Sequence, residues 1–172
     1  MASLKSLPVL LIGPALAGCQ FTASAGGLDY EKLQDAITAE LNGSYSGISR
    51  QVSSVDCPRQ SETPKTGDTF LCTASVDSEK VRVEVTVKDD DYNVDFTTLD
   101  ALFDLPGTAD GLTGQITEQL GFPVTVTCGE GLKAVEIGTT FECTAADEDG
   151  DTRTVQVTAG AVGESDSWEL VE

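Results

Sequence analysis

Five cysteines, at positions 19, 57, 72, 128 and 143, and no histidine define the reactive side chains of this 172-residue chain. Without an imidazole there is no Ser-His or Cys-His nucleophile pair. The last four cysteines fall into two pairs with equal spacing, Cys57 with Cys72 and Cys128 with Cys143. Zinc sites use Cys and His at close spacings such as C-x2-C, and redox sites use C-x-x-C; this chain has neither. Carboxylates are abundant, with 29 Asp and Glu, so two-carboxylate chemistry is open in principle. Their densest runs read as turns. Asp89-Asp90-Asp91 sits between two strand-like segments, and counting from Asp147 in "DEDGD" puts Gly150 fourth and Thr158 twelfth, where an EF-hand needs Gly sixth and Glu twelfth. No metal and no cofactor are expected, and no catalytic residue is assigned.

The elements that position these residues come in two copies. "VDCPRQSETPKTGDTFLCTASVD" from Val55 and "VTCGEGLKAVEIGTTFECTAADED" from Val126 share Cys57/Cys128, Gly67/Gly138, Phe70/Phe141, Cys72/Cys143, Thr73/Thr144 and Ala74/Ala145 at one offset. A one-residue shift then sets Val83 and Val85 on Val155 and Val157, and Phe96 on Trp168. This is an internal duplication. Helical spacing appears in each copy, as Tyr30, Leu33, Ile37 and Leu41 within 29–41, and as Ala109, Leu112, Ile116 and Leu120 within 109–120. Strand patterns follow at 52–57, 69–76, 81–88 and 92–97, then at 124–128, 140–146, 152–158 and 167–171; "VRVEVTVK" alternates strictly. The fold class expected is α+β: two tandem small domains, each one helix packed on an antiparallel sheet of about four strands, with one disulfide each. Four cysteines allow three pairings, and duplication favours the local one, Cys57–Cys72 and Cys128–Cys143. Arg82 and Arg153 lie early in matching strands. They are candidates for pairing with acidic neighbours or for holding an anionic ligand group.

The order helix, "DCP", "GDTFLC", "VRVEVTV" resembles the uncharacterised domain-of-unknown-function family 4333, found on exported and lipid-anchored actinobacterial proteins. Cys57-Pro58 and Gly67-x-x-Phe70-x-Cys72 carry the resemblance; the second copy keeps Gly138-x-x-Phe141-x-Cys143 and has Gly129 where the first has proline. The resemblance implies an exported location and disulfides. It implies no activity.

At the N-terminus, Lys5 precedes an apolar run, Leu7 to Gly18, that is too short to span a bilayer and has the layout of an export signal. Leu16-Ala17-Gly18-Cys19 resembles the lipobox of bacterial lipoproteins, which implies cleavage before Cys19 and a diacylglyceryl group on its sulfur. The domains expected are a lipoprotein signal peptide at 1–18, a tether at 19–27, a first α+β repeat at 28–98, a connector at 99–107 and a second repeat at 108–172. That apolar connector, "LDALFDLPG", is expected to pack between the two repeats, whereas exposure of Leu102 and Phe103 would point to a protein contact. The net charge of −19 argues against phosphate-backbone binding and against adhesion to an anionic membrane surface. The functional expectation is a lipid-anchored protein on the extracytoplasmic face of the cell membrane. It would be a non-catalytic binding or accessory module whose partner is an envelope protein or ligand, not nucleic acid; the alternatives are a carboxylate-dependent envelope enzyme and a structural spacer.

Overall fold

Asp29 opens the first helix by accepting the Lys32 backbone N–H on its side chain at 3.2 Å. The computed structural model describes residues 27–160 and 164–171; the expected signal peptide at 1–18, Cys19 and nearly all of the expected tether lie outside them. The described chain divides into two compact units, the first ending at Asp100 and the second beginning at Ala101.

In the first unit, α1 (Tyr30–Tyr45) buries Tyr30, Leu33, Ile37, Leu41 and Tyr45, the stripe expected from 3.6-residue periodicity extended by one turn. Four strands follow: β1 (Ser54–Asp56), β2 (Thr69–Val76), β3 (Glu79–Val87) and β4 (Val94–Thr98). They form one sheet in the order β1-β2-β3-β4, every pair antiparallel. Cys72 lies opposite Val83 and Ala74 opposite Val81, and all four are fully buried, so one face of the β2–β3 hairpin is core. The strand expected from Tyr92 starts two residues later. Tyr92 has φ 58°, and the Asp89 carboxylate accepts the backbone N–H groups of Asp91 and Asn93, closing 89–93 as a turn.

The second unit repeats this plan and adds to it. β5 (Asp100–Asp104) leads into α2 (Leu105–Leu120), followed by β6 (Val124–Thr127), β7 (Leu132–Glu136), β8 (Thr140–Asp147), β9 (Thr152–Thr158) and β10 (Ser167–Val171). The main sheet runs β10-β9-β8-β6, matching the first sheet strand for strand, and β5 pairs with β7 in a two-stranded sheet. The register is conserved between copies: Phe141 opposes Val157 as Phe70 opposes Val85, and Trp168 opposes Val157 as Phe96 opposes Val85. Gly67 and Gly138 occupy the left-handed region at φ 91° and 82°, each donating its N–H to the far strand, to the Val87 and Ala159 carbonyls respectively. The one-residue shift comes from the hairpin turns. β2 and β3 are joined by Asp77-Ser78, whereas Asp147 donates its N–H to the Asp151 carbonyl around Glu148-Asp149-Gly150, one residue more.

Two expectations are corrected here. Residues 99–107 are not a connector: they contain β5 and the first turn of α2, and the unit boundary falls at Asp100. Pro106 lies in the first turn of α2, where proline needs no N–H partner, and Asp104 caps that end by accepting the Gly107 N–H at 3.0 Å. Phe103 is accordingly a core residue of the second unit, its ring edge-on to Phe141 at 4.9 Å. β7 has no counterpart in the first copy, whose matching segment, residues 61–65, carries Pro64.

Candidate functional site: a cleft in the second repeat

Cys57 and Cys72 are bonded, as are Cys128 and Cys143, each pair 15 residues apart in sequence with Cα atoms 4.3 Å apart. The local pairing is therefore the one the fold uses. Each bridge ties the end of the first sheet strand to the middle of the strand beside it, so the same geometry serves twice. Cys19 lies outside the described residues.

Arg82 and Arg153, although early in matching strands, are not equivalent. Arg153 opposes Ala145, the counterpart of Ala74, and Ala74 opposes Val81. The extra residue of the 147–151 hairpin therefore moves Arg153 to the Val81 position, and a one-residue slip turns a side chain to the other face of the sheet. Arg82 is committed within its own unit. Its Nε and Nη2 donate to the Asp100 carboxylate at 2.9 and 2.6 Å, and its backbone N–H donates to the same group at 2.8 Å. This arrangement realises the acidic-neighbour alternative and occupies the fork that an anionic ligand would need. The guanidinium holds the Asp100 carboxyl below the usual carboxylate range. Burial, with the Asp100 charge adding to it, pushes the Tyr45 phenol up to about 12. Arg153 is exposed and lines a hollow of about 230 Å³ with Leu120, Phe122 and Leu170. Asp147 and Asp151 line the same hollow and offset its charge toward an anion.

The acidic runs are turns. The Asp147 Oδ1 accepts the N–H groups of Asp149 and Asp151, and the Asp89 carboxylate accepts those of Asp91 and Asn93 and the Asn93 side-chain amide. Among the described residues no three Cys, Asp or Glu side chains converge as a metal ion would require.

The feature that sequence reasoning missed is a cleft of about 100 Å³ in the second unit, between the first turns of α2 and the start of β10. Phe103, Leu112, Val157 and Trp168 supply its apolar walls, Gly107 and Gly111 its helix side, and Asp166 and Gln115 its polar groups. The Trp168 indole N–H donates to Gln115 Oε1 at 2.9 Å, which fixes the aromatic wall against the helix. Asp166 Oδ1 accepts the Gly160 N–H at 2.9 Å; burial nevertheless pushes the carboxyl above its usual range, because that one hydrogen bond only partly opposes the desolvation. The duplication held the signal. The alignment that sets Phe96 on Trp168 also sets Val94, fully buried, on Asp166. Aligning the helix caps Asp29 and Asp104 sets Lys32 on Gly107, Ala36 on Gly111 and Glu40 on Gln115. The second copy has thus lost two side chains from the helix and gained a carboxylate just before β10, at the position matching the buried Val94 of the first.

The lining combines apolar walls with a single described carboxyl group, Asp166. Retaining or inverting hydrolysis needs two carboxyl groups at a defined separation, and the described lining contributes one, Asp166. Among the described residues no helix is long and apolar enough to cross a membrane. In comparison with known proteins, the family model for the domain of unknown function DUF4333 matches residues 14–91 and 102–162, so it covers both copies despite Gly129. No curated protein and no solved structure matches.

Proposed function

The chain belongs to the DUF4333 family, and from that premise we propose that it is a lipid-anchored protein of the extracytoplasmic face, acting as a non-catalytic binding module through its second repeat. The observation that carries the anchor is the cysteine count: two local disulfides account for four of the five cysteines, leaving Cys19 at the end of Leu16-Ala17-Gly18. Disulfides persist in oxidising compartments outside the cytoplasm, which supports export. Two acyl chains hold a protein stably at a membrane where one gives marginal binding, and the acidic surface adds no attraction to anionic lipid. Binding rather than catalysis is supported by the cleft, whose apolar walls and few convergent polar groups are what ligand sites share.

The test is intact mass and detergent partitioning of wild type and Cys19→Ser expressed in a bacterium that processes lipoproteins. Wild type is expected in the detergent phase, starting at Cys19 and carrying a diacylglyceryl mass; Cys19→Ser is expected in the aqueous phase. An unmodified wild-type protein in the aqueous phase refutes the anchor.

A further inference from the structure

Asp166 occupies the position at which the first repeat buries Val94. A half-buried carboxylate at a core-type position requires a reason, since its charge is desolvated. Its Oδ1 is committed to the Gly160 N–H, and no partner for Oδ2 is seen among the described residues. On its helix side the cleft has glycine at 107 and 111, and a Cβ built at Gly111 meets nothing within 4 Å, so the cleft is open on that side. Among the described lining residues there is no Lys or Arg to balance the carboxylate. The apolar walls of the same cleft are Trp168, Phe103, Leu112 and Val157, and its other polar side chains, Thr108, Gln115 and Ser167, are uncharged.

An acidic group at one point of a small apolar cleft, with an indole in the wall and no protein cation, is the complement of a cation on a short aliphatic stem. Carboxylate pairing and aromatic contact both favour a desolvated ammonium. The cleft, at about 100 Å³, is well below the size that encloses a drug-sized ligand and suits a single side chain. The chain as a whole, at −19, draws basic partners toward it. We propose that this cleft takes the side chain of a lysine carried by a basic partner segment, its methylenes against Trp168 and Phe103 and its ammonium on Asp166. This rests on the binding-module reading and names the ligand chemistry of that module. Burial holds the Asp166 carboxyl above its usual range, and an ammonium seated beside it would bring it back down.

Trp168 is the only tryptophan of the chain, so its emission reports the cleft directly. The experiment titrates the full mature chain, carrying Cys19→Ser for solubility, with acetyl-Gly-Lys-Gly-amide, with the norleucine peptide of the same length, and with n-butylammonium chloride. Asp166→Asn and Gly111→Leu are titrated in parallel, with near-ultraviolet circular dichroism confirming that both are folded. The expected result is saturable binding of the lysine peptide that falls about ten-fold on exchange for norleucine and about ten-fold in Asp166→Asn, the loss of one charge-assisted contact. Gly111→Leu, which fills the cleft from the helix, is expected to abolish binding of both peptides. Equal binding of lysine and norleucine peptides, both lost in Gly111→Leu, overturns ammonium recognition and leaves the binding-module reading standing. Binding of n-butylammonium as tight as the lysine peptide overturns the partner segment as occupant. No saturable change with any of the three at concentrations on the order of millimolar overturns the inference and removes this cleft from the module reading as well.

Discussion

Replacing Asp100 by Asn removes the charge from an ion pair in which Arg82 donates three different N–H groups to one carboxylate. The Asp100 side chain is only 7% exposed and receives the Arg82 backbone N–H, Nε and Nη2. Breaking a fully buried pair costs about 3–5 kcal/mol. The Arg82 side chain is 40% exposed, so water recovers part of that, and about 2–3 kcal/mol is expected for Asp100→Asn. Arg82→Met should cost a similar amount, because it strands the carboxylate, and the double variant less than the sum, with a coupling above about 1 kcal/mol. The pH dependence has a definite sign. Arg82 lowers the folded carboxyl value, so the stabilisation is fully present above the unfolded value of about 4 and is lost as pH falls through the lower folded one. The difference between wild type and Asp100→Asn should therefore be flat from about pH 5 to 8 and shrink below about 4. All three tyrosines lie in the first repeat and the one tryptophan in the second, so urea unfolding followed through each fluorophore reads the repeats separately. A cost below about 0.5 kcal/mol in the tyrosine transition at pH 7, or a difference that grows on acidification, refutes the reasoning.

Removing the first disulfide with Cys57→Ser and Cys72→Ser opens a loop of 15 residues and should destabilise the tyrosine-monitored unit by about 3 kcal/mol while leaving the tryptophan transition in place; unreduced peptide mapping of wild type should show the two local bridges as the major species. Gly138→Ala adds a Cβ that meets nothing within 4 Å, so its expected cost of about 1–2 kcal/mol in the tryptophan transition is purely that of holding a non-glycine residue at φ 82°. Asp166→Asn should stabilise the second repeat at neutral pH. The folded carboxyl value is raised, so the folded state binds the proton more tightly, and wild type loses stability as pH rises from the unfolded value of about 4 through the raised one; the advantage of the variant should therefore vanish below about pH 4, which thermal unfolding across pH would read.

What the sequence determined by itself was whatever depends on local periodicity and on repetition. Period-3.6 stripes placed both helices, alternation placed β3 and repetition its counterpart β9, and two copies of Gly-x-x-Phe-x-Cys at one offset favoured the pairing of Cys57 with Cys72 and Cys128 with Cys143 that the fold uses. Tertiary structure decided what depends on which chain segments meet. β5 and β7 form because each supplies the other's backbone hydrogen bonds, and neither "DALFD" nor "LKAVE" carries a strong strand pattern alone. The partner of Arg82 was likewise settled by folding, since Asp100 lies 18 residues away along the chain and reaches it only across the sheet. A single extra residue in the 147–151 turn reversed the face of Arg153, a change that composition cannot register and strand register must. The cleft is the plainest instance. Gly107 and Gly111 stand far from Asp166 and Trp168 in sequence, and the four become a site only because the fold brings the first turns of α2 beside the start of β10, where the other repeat carries Lys32, Ala36 and Val94 at the matching sequence positions.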